Sequence, residues 1–521
     1  MKAHLLFADQ DFAWDRELPA NSDDLVQDLE FTTVLSAMAQ GDAFLYDIAA
    51  KVVLAGLTDP EAIRYRQQVL ADCLAEPAVL RQMYDTALGA LLDKRKLWGY
   101  AAHYPSSILS AAISQTEALV ARLRQLREIA DATAGRFRSP GLTTLMNSLQ
   151  ADLDDEYFET VQEHLRQLRF RDGELMSARL GRDNSGIEFV LRYRRSRRGW
   201  KERVGLAPRS SYAFTIPPRD EAGGQVLSDM VNRGVNTVAN ALAQSADHMT
   251  SYFTMLRAEL GFYLGCLNLA EELAARSQPT VFPEPAAAQP VRFTCTELRD
   301  ISLALRIDHV VGNNVAADGK PLMIVTGANS GGKSTFLRST GLAQLMMQAG
   351  MFVTAHSFRA GVCQHVFTHF IREEDADMIS GRLDEELSRM SRLADDIRPH
   401  SLVLFNESFA ATNEREGSEI ARQVVRALLE ADVRVMFVTH QYDFSSSFYR
   451  DDQDRTLFLR ADRRTDGERD FRLVEAEPLP TSYGVDLYYR IGGWLDETTG
   501  DPARPEAGRR EAGLTAGDRP A

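Results

Sequence analysis

The sequence predicts an α/β domain with a mainly parallel sheet, preceded by a largely α-helical part that carries a small β-rich tip. Up to about residue 173, apolar residues recur three and four positions apart, as they do in amphipathic helices. From Gly186 two β-rich runs flank a basic turn, and a long helical pattern returns over residues 225–275. From Val291 short β-branched runs alternate with helical segments, which is typical of a parallel sheet covered by helices.

These patterns divide the 521 residues into three parts. Residues 1–285 are expected to form the helical part, with the β-rich tip at about 180–220. Residues 291–496 are expected to form the α/β domain. Residues 497–521 consist mostly of Gly, Pro, Ala and charged residues, so a disordered tail is expected there.

Local signals predict where several elements begin and end. One helix is expected to begin at Pro60, because a capping Asp59 or Thr58 comes directly before it. The long amphipathic pattern SQTEALVARLRQLREIADATAG predicts a helix that ends at Gly135. Near the end of the α/β domain, RTLFLRADRRTDGERDFRLVEA predicts a hairpin that turns near Asp466.

Composition and charge limit the class of protein. The formal net charge of -15 argues against a uniformly basic nucleic-acid coat, although it leaves room for a local basic patch. The four cysteines are scattered, so neither a disulfide framework nor a zinc ribbon is indicated. The N-terminus lacks the apolar run of a signal peptide, and no stretch is long enough to span a membrane. A cytoplasmic protein is therefore expected.

The segment GANSGGKS fits the phosphate-binding pattern G-x-x-x-x-G-K-[ST], between an apolar strand and a helix. In such a loop the backbone amides and the helix N-terminus face the phosphates of a nucleotide. The lysine reaches the β- and γ-phosphates, and the serine offers a hydroxyl to Mg²⁺. The alternative is a glycine-rich turn without a ligand. The expected nucleotide-binding residues of this segment are Gly327, Asn329, Gly331, Gly332, Lys333, Ser334 and Thr335.

A second buried strand, SLVLFNES, ends on the pair Asn406-Glu407. Nucleotide hydrolases with a phosphate loop usually have an aspartate followed by a catalytic acid at this point. We expect Asn406 to orient Ser334 and a water on Mg²⁺, and Glu407 to orient or deprotonate the attacking water. His440 ends the strand VRVMFVTH and is expected to sense the γ-phosphate. The alternatives are a solvated glutamate and a structural histidine.

The predicted hairpin after Gly186 carries a dense basic cluster together with Tyr193 and Trp200. Such a cluster attracts phosphate backbones without reading their sequence, so contact with DNA or RNA is expected. A solvated charged turn is the alternative. The expected nucleic-acid residues are Arg192, Arg194, Arg195, Arg197, Arg198 and Lys201.

Cys363, His365 and His369 share one side of a possible strand. Thiol and imidazole groups are metal ligands, so a metal site is conceivable. We favour ordinary packing at these three positions.

The chain resembles the MutS family of DNA mismatch-repair ATPases in several segments that follow one another in the family's order. The phosphate-loop segment VTGANSGGKSTFLRSTGLAQLMMQAGMFVTA carries the resemblance first. FTHF, DADMISGRLDEELSRM, LVLFNES, FVTHQYDF and TSYGVDLYYRIGG follow it. The resemblance is specific over about residues 305–495 and weaker over the helical part, which resembles the family's lever domain and long returning helix.

The resemblance implies an ABC-type P-loop ATPase domain preceded by a helical lever and clamp arm. It also implies a homodimer with ATP sites at the interface, where Ser380 reaches the γ-phosphate bound by the partner. A helix N-cap role for this serine is the alternative. Asn406 departs from the family's aspartate, and Val310 stands where an aromatic residue often stacks on adenine. Since the chain starts in the lever region, mismatch-recognition and connector domains are not expected.

The resulting prediction is a MutS-like, ATP-dependent DNA-binding protein with ATP and Mg²⁺ as cofactors. Slow hydrolysis at a dimer interface would gate a clamp around double-stranded or branched DNA, in repair or recombination. One alternative is an ATP-binding switch with negligible hydrolysis. Another is an ABC-like regulator whose arm grips a protein.

Overall fold

The computed structural model describes residues 2–97, 105–170, 173–183, 185–192, 215–217, 219–327, 331–371, 381–461 and 470–480. The chain forms two compact units. Unit 1 comprises the N-terminal residues up to Pro19, Thr33–Ala275 and Met346–Phe352. Unit 2 comprises Ala20–Thr32, Arg276–Leu345 and the chain from Val353 onward.

Helices dominate the described chain up to residue 275, and strands alternate with helices after it. Up to residue 275 the elements are, in chain order, α1 (Ser22–Asp28), α2 (Phe31–Ala39), α3 (Ala43–Leu54), α4 (Pro60–Ala75), α5 (Pro77–Leu97), α6 (Pro105–Ala132), α7 (Pro140–Asp152), α8 (Asp155–Leu168), β1 (Met176–Leu180), β2 (Gly186–Leu191) and α9 (Glu221–Ala275). After residue 275 they are β3 (Glu284–Ala286), β4 (Phe293–Leu298), α10 (Ile301–Ala304), β5 (Asn313–Ala316), β6 (Leu322–Gly327), α11 (Lys333–Gln348), β7 (Ser357–Gly361), β8 (Val366–Phe370), α12 (Arg382–Asp396), β9 (Leu402–Asn406), α13 (Glu414–Glu430), β10 (Arg434–Val438), α14 (Tyr442–Asp451), β11 (Thr456–Ala461) and β12 (Leu473–Glu475).

Unit 1 is built around the long helix α9, which packs mainly against α5 and α6. With 55 residues, α9 is about 80 Å long. Its C-terminal part, from Phe253 to Leu273, holds most of its buried side chains, whereas the part near Glu221 is largely exposed. The antiparallel hairpin of β1 and β2 precedes this helix. The described chain thus passes from helices through this hairpin to the returning helix, while residues 193–214 of the predicted β-rich tip lie outside the described residues.

Helix starts in unit 1 follow the capping chemistry in the sequence. Asp59 accepts hydrogen bonds from the first backbone amides of α4, and Pro60 occupies the first helical position, where no amide partner is needed. Ser139 and Asp154 cap α7 and α8 in the same way. Of the described helices in either unit, none is both long and apolar enough to cross a membrane.

Unit 2 contains a six-stranded sheet in the order β12-β11-β6-β10-β9-β8. Every neighbouring pair is parallel except β11 and the edge strand β12. Successive side chains of β9 point to opposite faces: Val403 and Phe405 join the apolar cluster with α12, α13 and α14. Leu404 lies against Gly341 of α11 on the other face. The mainly parallel sheet covered by helices matches the prediction.

A second sheet of unit 2 was not predicted. Its order is β3-β7-β4-β5, with β3 and β7 parallel and the other pairs antiparallel. Its strands have between three and six residues and include a Pro/Ala-rich stretch that is typical of a linker. Such short runs carry too little periodicity to be distinguished from loop.

Helix α1 lies on the edge strand β8 of unit 2. Asn21 donates from its side-chain amide to the carbonyl of Val366 at 2.7 Å. Arg389 of α12 is buried and donates to the nearly buried carboxylate of Asp28 at 2.8 Å. Ala20–Thr32 are thus part of unit 2, although the residues up to Pro19 and Thr33–Ala275 belong to unit 1.

Candidate functional site

The phosphate-loop sequence lies between β6, a central strand of the six-stranded sheet, and α11. Gly327 and Gly332 have φ values of 109° and 87°, which favour glycine. A Cβ on Gly327 would also lie 2.9 Å from the backbone nitrogen of Ala461. Gly331 is buried at the end of the loop, and Asn329 lies outside the described residues.

Lys333 opens α11 and is 5% exposed. Its ammonium donates to the carbonyl of Gly327 at 3.0 Å and lies 3.2 Å from Nε2 of His440. The lysine charge is therefore held at the end of β6. Ser334 is exposed and Thr335 is half-buried in the same first turn.

Asn406 ends β9, with β8 on one side and β10 on the other. Its Oδ1 accepts a hydrogen bond from the hydroxyl of Ser334 at 2.9 Å. The two residues are 72 positions apart in the sequence and meet because parallel strands end at the same edge of the sheet. The pair brings a hydroxyl and an amide carbonyl together, and both are oxygen groups of the kind that Mg²⁺ prefers.

Glu407 follows β9 in a left-handed conformation, with φ 54°. Its Oε2 accepts from the backbone amide of His440 at 3.1 Å. Burial raises the pKa of Glu407 to about 7, although the charge of Lys333 and the amide of His440 work in the opposite direction. A substantial fraction of this carboxyl group is therefore protonated at neutral pH.

His440 lies between Glu407 and Lys333. Burial, and then the nearby Lys333 charge, lower the pKa of His440 to about 4, so the imidazole is neutral at neutral pH. Its Nε2 is 3.2 Å from Oε1 of Glu407, a spacing that would be an ion pair only with a protonated ring. Because the buried ring next to a lysine resists protonation, we interpret this contact as polar and uncharged.

A cavity next to the phosphate loop was not predicted from the sequence. Gly332 and Thr335 line one part of it, and Ile307, His309 and Phe471 line another. Val310, the residue that the resemblance places at the adenine position, is buried and does not line this cavity. The aromatic Phe471, which is 47% exposed, lies within the segment predicted as a hairpin, and it was missed because its place beside the loop depends on the pairing of β11 with β12.

Only one residue of the predicted basic cluster belongs to the described residues. Arg192 is exposed at the end of β2, and its Nε donates to the hydroxyl of Ser177 at 2.8 Å. The other members lie outside the described residues: Arg194, Arg195, Arg197, Arg198 and Lys201.

Ser380 also lies outside the described residues, which resume at Gly381, the N-cap of α12. Within the described ranges, no group of three or more His, Cys, Asp or Glu side chains could hold a metal ion. His369, one of the three residues considered for a metal, instead contacts the hydroxyl of Ser408 and the backbone carbonyl of Glu386.

Two protein-family models match this chain. Residues 58–276 match the family model of the MutS2 N-terminal domain, and residues 323–492 match that of MutS domain V. The DNA mismatch repair protein MutS of Synechococcus elongatus is 25% identical over 447 residues, which cover 75% of this chain and 49% of that protein. That of Porphyromonas gingivalis is 32% identical over 180 residues, covering 34% of this chain and 20% of that protein.

A third relative, the DNA mismatch repair protein MutS of Chloroflexus aurantiacus, is 31% identical over 218 residues, 40% of this chain and 22% of that protein. The matched part thus spans about half, or less, of these curated relatives. Two consecutive family models and these relatives together show that this chain belongs to the MutS family.

Proposed function

We propose that this chain is a MutS-like ATPase, in which slow ATP hydrolysis at a dimer interface gates a DNA clamp in repair or recombination. The observation that carries the proposal is the convergence of four side chains at one edge of the parallel sheet: Lys333, Asn406, Glu407 and His440. They follow the neighbouring strands β6, β9 and β10. Ligands of open parallel sheets bind beyond these carboxyl ends.

The phosphate loop and α11 would bind the ATP phosphates, with Lys333 against the β- and γ-phosphates. Ser334 and, through a water, Asn406 fit Mg²⁺, since both present hard oxygen atoms. The ion would neutralise phosphate charge. Because Asn406 has no charge of its own, we expect a weaker hold on Mg²⁺ than an aspartate would give.

Glu407 would orient and deprotonate the attacking water, and His440 would sense the γ-phosphate. A base must be in its carboxylate form to accept a proton. Since the pKa of Glu407 is raised to about 7, only part of the protein is ready to react at neutral pH. Half protonation lowers the rate by only about a factor of 2, so the raised pKa leaves hydrolysis measurable.

The ABC-type arrangement would place two ATP sites in a homodimer, with Ser380 of each protomer completing the partner's site. The fit of residues 323–492 to MutS domain V supports this part of the proposal. The helical unit would act as lever and clamp arm, supported by the match of residues 58–276 and by the length of α9.

The arm would contact double-stranded or branched DNA through the basic residues after β2. Replacing Arg194, Arg195, Arg197 and Arg198 with Ser should weaken DNA binding and reduce its dependence on salt, because fewer counterions are released. Four lost phosphate contacts correspond to a decrease of about 3 to 4 in the slope of log affinity against log salt. If the affinity for DNA and its dependence on salt are unchanged in this variant, the basic residues form only a solvated turn. We would then assign the arm to a protein partner.

We also assign the chain to the cytoplasm. The four cysteines, Cys73, Cys266, Cys295 and Cys363, are buried thiols. Such thiols suit a reducing compartment.

The ATPase rate with and without duplex, branched and mismatched DNA tests the function as a whole. We expect turnover above that of the Lys333→Ala variant, stimulated by at least one DNA form. The neutral Asn406 favours a second candidate, an ATP-binding switch with negligible hydrolysis. That candidate replaces the enzyme if wild-type turnover equals the Lys333→Ala background at every Mg²⁺ concentration while ATP still binds.

A further inference from the structure

The turn that carries Glu407 has an unusual backbone. Glu407 and Phe409 have φ values of 54° and 61°, in the left-handed region that residues with a side chain seldom adopt. Such a conformation persists only where surrounding contacts hold it. The direction in which the Glu407 carboxylate points therefore depends on what holds residues 407–409.

Two side chains hold the peptide groups of Phe409. The carboxylate of Glu386, in the second turn of α12, accepts a hydrogen bond from its backbone amide at 2.7 Å. The side-chain amide of Gln441, next to His440, donates to its carbonyl at 3.1 Å. The Phe409 side chain is fully buried. This end of the turn is therefore fixed through the amide, the carbonyl and the side chain of Phe409.

Helix α12 also reaches the middle of the turn. The ring of His369 has one nitrogen 3.1 Å from the carbonyl of Glu386 and the other 2.8 Å from the hydroxyl of Ser408. The same hydroxyl oxygen lies 2.5 Å from the carbonyl oxygen of His369, and in the tautomer whose Nε2–H donates to Glu386 its single proton goes to Nδ1. The His369 ring stacks on Phe409, with 5.3 Å between centroids. One residue of α12, Glu386, thus holds the turn directly through its carboxylate and, by way of His369, through its carbonyl.

Close packing leaves the turn little room to relax. A Cβ on Gly417 of α13 would collide with the carbonyl oxygen of Phe409. At the other end, the amide of Glu407 donates to the carbonyl of Val438 in β10 at 2.9 Å. If the Glu386 carboxylate is removed, the half-buried amide of Phe409 loses its partner while the rest of the turn stays crowded.

We propose that Glu386 is a positioning residue for ATP hydrolysis: by holding the amide of Phe409, it keeps Glu407 in the left-handed conformation that directs its carboxylate toward His440. The inference rests on the proposed function. It extends that function, because Glu386 belongs to the helix whose N-cap, Gly381, follows Ser380 in the sequence. A shift in the start of α12 would reach the water-activating carboxylate of the same protomer through one hydrogen bond.

Glu386→Ala tests the inference. A misplacement of about 1 Å can cost a factor of about 100 in rate, so we expect kcat to fall by about 10- to 100-fold. The affinity for ATP and the ATP-dependent dimer should remain within a factor of about 2, because the phosphate loop is not touched. Glu386→Gln keeps an acceptor oxygen for the Phe409 amide and should restore kcat to within about 3-fold of wild type.

Glu385→Ala is the matched control, since Glu385 is the exposed neighbour on the same helix. Its kcat should equal that of the wild type. Hydrogen exchange should quicken in Glu386→Ala at residues 407–409 alone and stay unchanged in the control, whereas a poorly folded variant would exchange faster throughout unit 2.

These measurements distinguish the positioning role of Glu386 from the proposed ATPase function. Wild-type turnover above the Lys333→Ala background, with Glu386→Ala turning over at the same rate, overturns the positioning role alone. Losses of kcat, ATP affinity and thermal stability together in both Glu386 variants would show a merely structural residue. Wild-type turnover at the Lys333→Ala background overturns the proposed function, and the positioning role with it.

Discussion

The buried carboxyl group of Glu259 predicts how the stability of unit 1 depends on pH. It lies on α9, is fully buried, and its Oε2 accepts from the backbone amides of Leu5 at 2.5 Å and Leu6 at 3.3 Å. Burial raises the pKa of Glu259 to about 7, against the effect of these amides and with a smaller contribution from Asp11. Glu259→Gln keeps the shape and one acceptor oxygen but cannot titrate.

The direction in which stability changes with pH follows from proton binding. A carboxyl group whose pKa is higher in the folded state binds its proton more tightly there, so the stability it contributes is lost as the pH rises. The stability contributed by Glu259 is lost over the pH range from its ordinary pKa of 4.5 to about 7. At about 1.36 kcal/mol for each unit of pKa, the whole range corresponds to about 3 kcal/mol. Between pH 5 and pH 8 the change is roughly 2.5 kcal/mol.

Urea denaturation followed by circular dichroism at pH 5 and pH 8 measures the effect. The free energy of unfolding of the wild type, minus that of Glu259→Gln, should be more favourable at pH 5 than at pH 8 by roughly 2.5 kcal/mol. The exposed Glu128 on α6 gives a control, because Glu128→Gln makes the same chemical change without burial. A Glu259→Gln difference that is independent of pH, or larger at pH 8, would refute the reasoning.

Three changes at the proposed nucleotide site have their own expected outcomes. Lys333→Ala should abolish tight ATP binding in calorimetric titration, because the ammonium between two phosphates is lost; unchanged affinity would contradict the phosphate-loop assignment. With ATP, Glu407→Gln should accumulate a dimer in light scattering, and a strictly monomeric ATP-bound species at micromolar concentration would contradict it. Asn406→Asp should lower the Mg²⁺ concentration for half-maximal activity by adding a charge next to the ion, whereas an unchanged Mg²⁺ dependence would make Asn406 a neutral substitution.

Much of the geometry of the candidate site could be predicted because its signals are local. The glycines and Lys333 lie in one short motif between a strand and a helix, and the motif itself requires that order. The contact between Ser334 and Asn406 was also within reach, since the ends of parallel strands meet at one edge. Pro60 with Asp59 likewise marked a helix start.

Other parts depend on contacts that no local pattern encodes. Glu386 resembles the other acidic residues on an amphipathic helix, and its bond to Phe409 follows from a left-handed turn that is not visible in FNESF. Phe471 reaches the cavity beside Gly332 only after the antiparallel pairing of β11 and β12. The pKa of Glu407 depends on burial, which likewise requires the assembled structure.

The membership of α1 in unit 2 has a consequence for how the protein is made. Asp28 leaves the ribosome 361 residues before its partner Arg389, so the sheet edge at β8 cannot be completed until most of the chain has been synthesised. A recombinant fragment that starts at Arg276 would lack Asp28 and the rest of α1, so the guanidinium of Arg389 would lose its carboxylate and β8 would lose the helix that lies on it. A fragment in which residues 20–32 are joined to Arg276 through a short linker should therefore be more stable than the fragment that starts at Arg276.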